Sequence, residues 1–383
     1  MPSDLFADLD RALANDGPDA AVDRLIASLR ESRDYPALFY ALLLRSRRAL
    51  GVSPIPSRPA SEIPDEKLDA YERAIRDAGR EVGSRFLAAG DIPAAWNYFR
   101  LIGDTTPVRE AIDTFVPGED SEKVYPVIEI AFHHGVHPVK GLDLVLDRQG
   151  ICSAITLLGN MADSLSESAK VACVGRLVRS LHAQLLERLR ADVEGQEGSA
   201  PATLRELLAG RNWLFGEHTY HVDISHLSAV VQMSLNLAPG DELTMARELC
   251  AYGERLAPGM QPTNDEPFAQ FYRDCGIYLR TVAGEEVDAG LGHFRAKALQ
   301  ADESFPAEVY VNLLLKVGRE AEALAAAREF LAEHDERGLS CPGVLELSRR
   351  HGDFAGFAAA AKQRGDAVHY LAGLLSRSSE LES

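Results

Sequence analysis

Five cysteines in 383 residues, Cys152, Cys173, Cys250, Cys275 and Cys341, are an odd number and widely scattered, with no Cys-x-x-Cys pair. That usage excludes a disulfide framework and predicts small buried hydrophobes in a reducing compartment. Long hydrophobic runs are also lacking: the longest, Tyr35 to Leu44, has about half of the roughly 20 apolar residues that a bilayer span requires. Positive charge is in deficit, with 40 Lys and Arg against 58 Asp and Glu, a net charge of -18 and a pI near 5.1. The average field repels phosphate backbones and anionic lipid, which argues against nucleic-acid and membrane partners. Met1 to Ala12 carries Asp4, Asp8 and Asp10 where a secretory leader would be basic and then apolar, so a cytoplasmic location is expected. Phosphate-loop, dinucleotide-fingerprint, nucleophile-elbow and calcium-loop motifs are missing, which leaves those chemistries without support.

What is present is helix. Ala21, Val22, Leu25, Ile26 and Leu29 fall at spacings of three and four, on one face of a 3.6-residue turn. The same spacing predicts helices around 66–82, 92–102, 123–133, 138–147, 165–190, 242–256, 268–282, 286–299, 306–317, 319–333, 343–350 and 353–363, while alternating patterns are scarce. A glycine recurs between such helices, at Gly17, Gly90, Gly135, Gly284, Gly318 and Gly352, and the last three are 34 residues apart. A fixed period of that size is the mark of stacked two-helix units, each of which needs its neighbour to bury an apolar face.

In Gly90-Asp-Ile-Pro-Ala-Ala-Trp-Asn-Tyr-Phe99, with Gly83 seven residues before Gly90, the chain resembles the tetratricopeptide repeat. Gly284 with Ala289 and Ala296, and Gly318 with Ala323 and Phe330, repeat the offsets; Gly352 departs from them with Phe357 at the small position. The resemblance is clearest over 275–365 and 83–103 and implies an all-α, right-handed α-α superhelix with an irregular central region. It also implies that Gly83 is the small position on the first helix, where two helices must approach closely. The expected organisation is an N-terminal helical pair over 1–50, a Pro-rich linker over 51–65 (Pro54, Pro56, Pro59 and Pro64), repeat-like pairs over 66–150, a central region over 151–270 and further repeats over 271–383. The segments Asp192 to Pro201 and Pro258 to Pro267 read as surface loops.

Six of the eleven histidines fall in two short segments. His133, His134 and His137 lie at a predicted helix corner between Gly135 and Pro138. His218, His221 and His226 lie in the least repeat-like stretch, Arg211 to His226. If Thr219 to Ser225 is extended, His221 and Asp223 share a face with Glu217 just before them, a set suited to a metal or to acid-base work. Alternatively, Asp223 or Ser225 caps the next helix and Trp213 and Phe215 anchor the segment between helices.

Two functions follow. The leading one is a scaffold that holds a peptide or protein partner in a concave groove, contacted by Arg211, Trp213, Phe215 and Tyr220; the negative net charge favours a basic partner. The alternative is an enzyme, a hydrolase, isomerase or lyase acting on a polar small molecule. Its catalytic groups would be His221, Asp223 and Glu217, and one divalent metal ion would be held by His134, His137, His218 and His226.

Overall fold

Three aspartates start helices. Asp34, Asp91 and Asp353 each accept a hydrogen bond from the backbone N–H three residues on, at 3.2, 3.0 and 2.8 Å, satisfying a donor that a helix N-terminus leaves unpaired. Pro36 and Pro93 follow in the first turn, where a missing N–H breaks no intrahelical bond. The six glycines expected at helix corners have φ from 68° to 89°, a region that side-chain-bearing residues avoid.

In the computed structural model, which describes residues 5–56, 63–118 and 121–381, all regular structure is helical and no strand occurs among the described residues. The fold is therefore all-α. None of the described helices is long and apolar enough to cross a membrane. Of the Pro-rich stretch 51–65, positions 57–62 with Pro59 lie outside the described residues, as does Met1 to Asp4; the described part before Asp65 is not helical.

The chain divides into two compact units, residues 1–150 with 161–165, and residues 151–160 with 166–383. The first unit contains α1 (Leu5–Asn15), α2 (Pro18–Glu31), α3 (Tyr35–Ala49), α4 (Asp65–Ala88), α5 (Ile92–Leu101), α6 (Thr106–Asp113) and α7 (Ser121–Ile128). A π-helical turn, Glu129–His133, follows, and α8 (Pro138–Met161) breaks at Gly150 (φ 80°), where the chain passes from one unit to the other. Residues 1–50, expected to form one helix pair, instead hold three helices. The third arises because the apolar run from Tyr35 has its own Asp34 cap.

Neighbouring helices supply the first unit's core. Ile26 and Leu29 of α2, Leu38 and Leu42 of α3 and Val82 of α4 are buried together. Gly83 of α4 faces Phe99 of α5 so closely that an added Cβ would stand 2.6 Å from the ring. A ring cluster of Tyr35, Phe39, Phe86 and Tyr98 lies beside them.

The second unit continues with α9 (Glu167–Glu197), α10 (Leu204–Leu208), α11 (Ile224–Ser234), α12 (Asp241–Gly253), α13 (Phe271–Val282) and α14 (Val287–Gln300). After these come α15 (Phe305–Lys316), α16 (Glu320–Phe330), α17 (Val344–Arg350), α18 (Phe354–Gln363) and α19 (Ala367–Leu381). The spine is α9, whose buried Leu177, Leu181, Leu185, Leu189 and Val193 recur every fourth residue and pack against α10, α11 and α12. This corrects the expectation of a loop from Asp192 to Pro201. Val193 extends the buried face by a further turn, so the helix runs on to Glu197 despite its acidic, glycine-containing sequence.

Candidate functional site

The segment from Arg211 to His226 folds onto α9 and α12 through one buried histidine. The His221 N–H donates to the Tyr252 hydroxyl at 2.8 Å, and the His221 carbonyl accepts from Arg188 at 2.9 Å. His221 Nδ1 lies 3.0 Å from the same hydroxyl. Placing the ring proton on Nε2 lets the Tyr252 hydroxyl accept from the backbone and donate to Nδ1. Nε2 then faces Asp192 Oδ2 at 3.1 Å, within ion-pair distance but off the line of a hydrogen bond. Burial lowers the proton affinity of His221; the Asp192 carboxylate opposes this and Arg188 adds to it. Burial also pushes the Tyr252 hydroxyl up to about 12. Tyr252 is fully buried and His221 nearly so, while Asp192 reaches solvent, so the array fastens the segment to α9 and α12.

Other residues of the segment have separate positions. Thr219 to Ser225 forms no strand, and Asp223 caps α11 by accepting from the N–H groups of Ser225 at 2.8 Å and His226 at 3.2 Å. Its proton affinity is lowered by the Ser225 hydroxyl first and then by those backbone donors. Arg211, expected to bind a partner, forms a bidentate pair with Glu197 at 2.7 Å and donates to the Glu206 carbonyl at 2.8 Å, closing α9 against α10. Phe215 is half-buried under the Arg255 guanidinium, 4.2 Å from the ring centre. Trp213, Glu217, His218 and Tyr220 are exposed, and His226 is half-buried on α11.

The first histidine cluster belongs to the first unit. His137 caps α8 by accepting the Lys140 N–H at Nδ1 over 3.4 Å, so its Nε2 proton points to Asp113 Oδ1 at 3.1 Å. His134 lies against the buried Trp96, ring centres 5.4 Å apart, and His133 is exposed. Among the described residues no three His, Cys, Asp or Glu side chains are grouped to hold a metal ion.

A different place in the second unit has the shape of a binding site. Between α10, α12 and α13 lies a cleft of about 750 Å³, within the range usual for ligand pockets. Leu204, Leu208 and Ala251 give it apolar wall, and Arg205, Arg247, Arg255 and Arg280 bring four guanidinium groups to its lining against two acids, Glu248 and Glu254. Glu248 is engaged by His182 of α9 at 2.6 Å. Arg255 donates to the Leu208 carbonyl, to the Arg211 carbonyl at 3.3 Å and to Asn212 Oδ1 at 3.0 Å, which makes it part of the wall. Trp213 stands on the 3-10 turn whose first residue, Asn212, lines the cleft. Cys250 also lines it, but burial raises its thiol far above the reactive range.

Sequence reasoning missed this cleft. Its arginines come from three helices and a loop spread over 205–280, and no local pattern joins them. It also missed the buried Asp274 of α13, which accepts from His293 at 2.8 Å, Lys297 at 3.1 Å and the Gln270 N–H at 2.8 Å. Lys297 goes on to Glu266 at 2.5 Å, pinning the loop before α13 to α14. Compared with known proteins, the chain matches no family model, no curated protein and no solved structure.

Proposed function

We propose that this is a cytoplasmic tetratricopeptide-like scaffold whose helix pairs stack in a right-handed sense within each unit, and whose cleft between α10, α12 and α13 holds a segment of a protein partner. The observation that carries the reading is the cleft itself, an apolar-walled trough edged by guanidinium groups, with the exposed Trp213 next in sequence to its lining residue Asn212. Arginine and tryptophan are the side chains that most often anchor protein interfaces. The two histidine segments supply caps and a fastening, so the acid-base reading gains no observation in its favour.

The test is a displayed peptide library selected on the full chain and re-screened on Ala251→Trp, which fills the cleft from an exposed position of α12. Enriched peptides are expected to lose about tenfold or more in affinity on the variant, equivalent to about 1.4 kcal/mol, while the helical spectrum is unchanged. Peptides that bind both proteins alike, or a library with no enrichment, would sink the reading.

A further inference from the structure

The cleft's arginines are not equally committed. The Arg205 side chain is exposed and makes no hydrogen bond or ion pair among the described residues. Arg247 forms a two-pronged pair with Glu285 at 3.0 and 2.5 Å, and Arg280 reaches Glu286 at 3.9 Å. Both acids stand side by side on the turn between α13 and α14, and Glu286 has φ 49°, a left-handed conformation that a non-glycine residue seldom adopts. Their side chains are 54% and 73% exposed, so water competes for both carboxylates and neither pair contributes much alone.

We infer that the cleft takes an acidic peptide segment in which two adjacent carboxylate side chains replace Glu285 and Glu286 on Arg247 and Arg280, with Arg205 as the additional counter-charge. The inference rests on the peptide-binding reading above. Exchanging one carboxylate for another on the same guanidinium costs little, because the charge-assisted hydrogen bonds are re-formed in kind. The gain comes from the Arg205 side chain, which has no partner before binding, and from apolar area covered on the exposed Ala251. Displaced acids have room: Glu285 and Glu286 line a second cleft of about 190 Å³, which Arg280 also borders. The chain's net charge of -18 opposes an acidic ligand at long range, but screening at physiological ionic strength confines that field to about 8 Å. Local guanidinium groups therefore decide the preference, which reverses the basic partner expected from composition.

The experiment uses the full chain and fluorescein-labelled octapeptides, acetylated and amidated so that the termini are uncharged and the label's charge is common to both, with a central Glu-Glu or Gln-Gln pair. Wild type is expected to bind the Glu-Glu peptide about tenfold or more tightly than the Gln-Gln peptide, and Arg205→Ala with Arg280→Ala to erase the difference. Glu285→Gln with Glu286→Gln is expected to tighten Glu-Glu binding severalfold, since the internal competitor is gone. Equal affinity for the two peptides, no binding of either, or weaker Glu-Glu binding by the glutamine variant would overturn the inference. If the displayed library yields Ala251-sensitive peptides without acidic pairs, the acidic ligand falls and the scaffold stands. A library without enrichment removes both.

Discussion

Replacing Phe99 with alanine is expected to cost the first unit about 3–5 kcal/mol, the range for deleting a fully buried aromatic ring. Phe99 has no exposed surface, and its ring fills the approach that Gly83 leaves open between α4 and α5. Truncation leaves a void bordered by helix backbone on the Gly83 side, and backbone collapses into a void less readily than side chains do. The measurement is denaturant unfolding followed by tryptophan emission. The chain has two tryptophans, Trp96 buried on α5 in the first unit and Trp213 in the second, so Trp213→Phe leaves a reporter of the first unit alone. A loss below about 1 kcal/mol would mean that the α4–α5 contact is not part of the core.

Removing the ring of His221 is expected to cost the second unit on the order of 2–4 kcal/mol. His221→Ala leaves the Tyr252 hydroxyl buried with one partner fewer and opens a cavity beside it. His221→Gln, which can still accept from Tyr252, should lose less. The two variants also separate a pH effect. Burial depresses the proton affinity of His221 in the folded state, so below the unfolded-state pKa of about 6.5 the unfolded chain binds a proton that the folded chain refuses. Stability from this site is therefore present in full above about pH 6.5 and is lost as pH falls through the lowered folded value. Midpoints of urea unfolding between pH 7.5 and 5.5, read from Trp213 in a Trp96→Phe background, should fall in wild type and fall less steeply in His221→Gln. Equal slopes would show that His221 takes up its proton alike in the folded and unfolded chain.

Helices and their corners were legible because they depend on residues a few positions apart. Ala21 to Leu29 carry the period of α2, and Gly90, Gly284 and Gly318 mark turns whose backbone demands glycine. A close helix approach at Gly83 was implied by the repeat resemblance, while its partner, the Phe99 ring, came only with the packing of α4 on α5. Two short helices, α6 with eight residues and α10 with five, were not legible, although α7 and α17 of similar length were. The last turns of α9 were hidden by Gly195 and by the acids around it, whereas the neighbour that buries Val193 is remote in sequence. The histidines misled for a physical reason. Imidazole serves as cap, as buried acceptor and as ligand alike, and only the three-dimensional surroundings of His137 and His221 separate those roles. The cleft arginines had no signature at all, because a charge pattern assembled from α10, α12 and α13 has no period along the chain.

The break at Gly150 carries a lesson about modularity. The chain leaves the first unit at residue 150, returns to it for 161–165, and enters the second unit for good at 166. Each unit is thus discontinuous in sequence. A single recombination breakpoint cannot transfer either unit whole: joining at 150 strips the first of its returning turn, and joining at 166 strips the second of residues 151–160. Swapping one unit whole by homologous exchange would need three breakpoints, between residues 150 and 151, 160 and 161, and 165 and 166. The short reach between them makes 150–166 the stretch along which the two units must be inherited together.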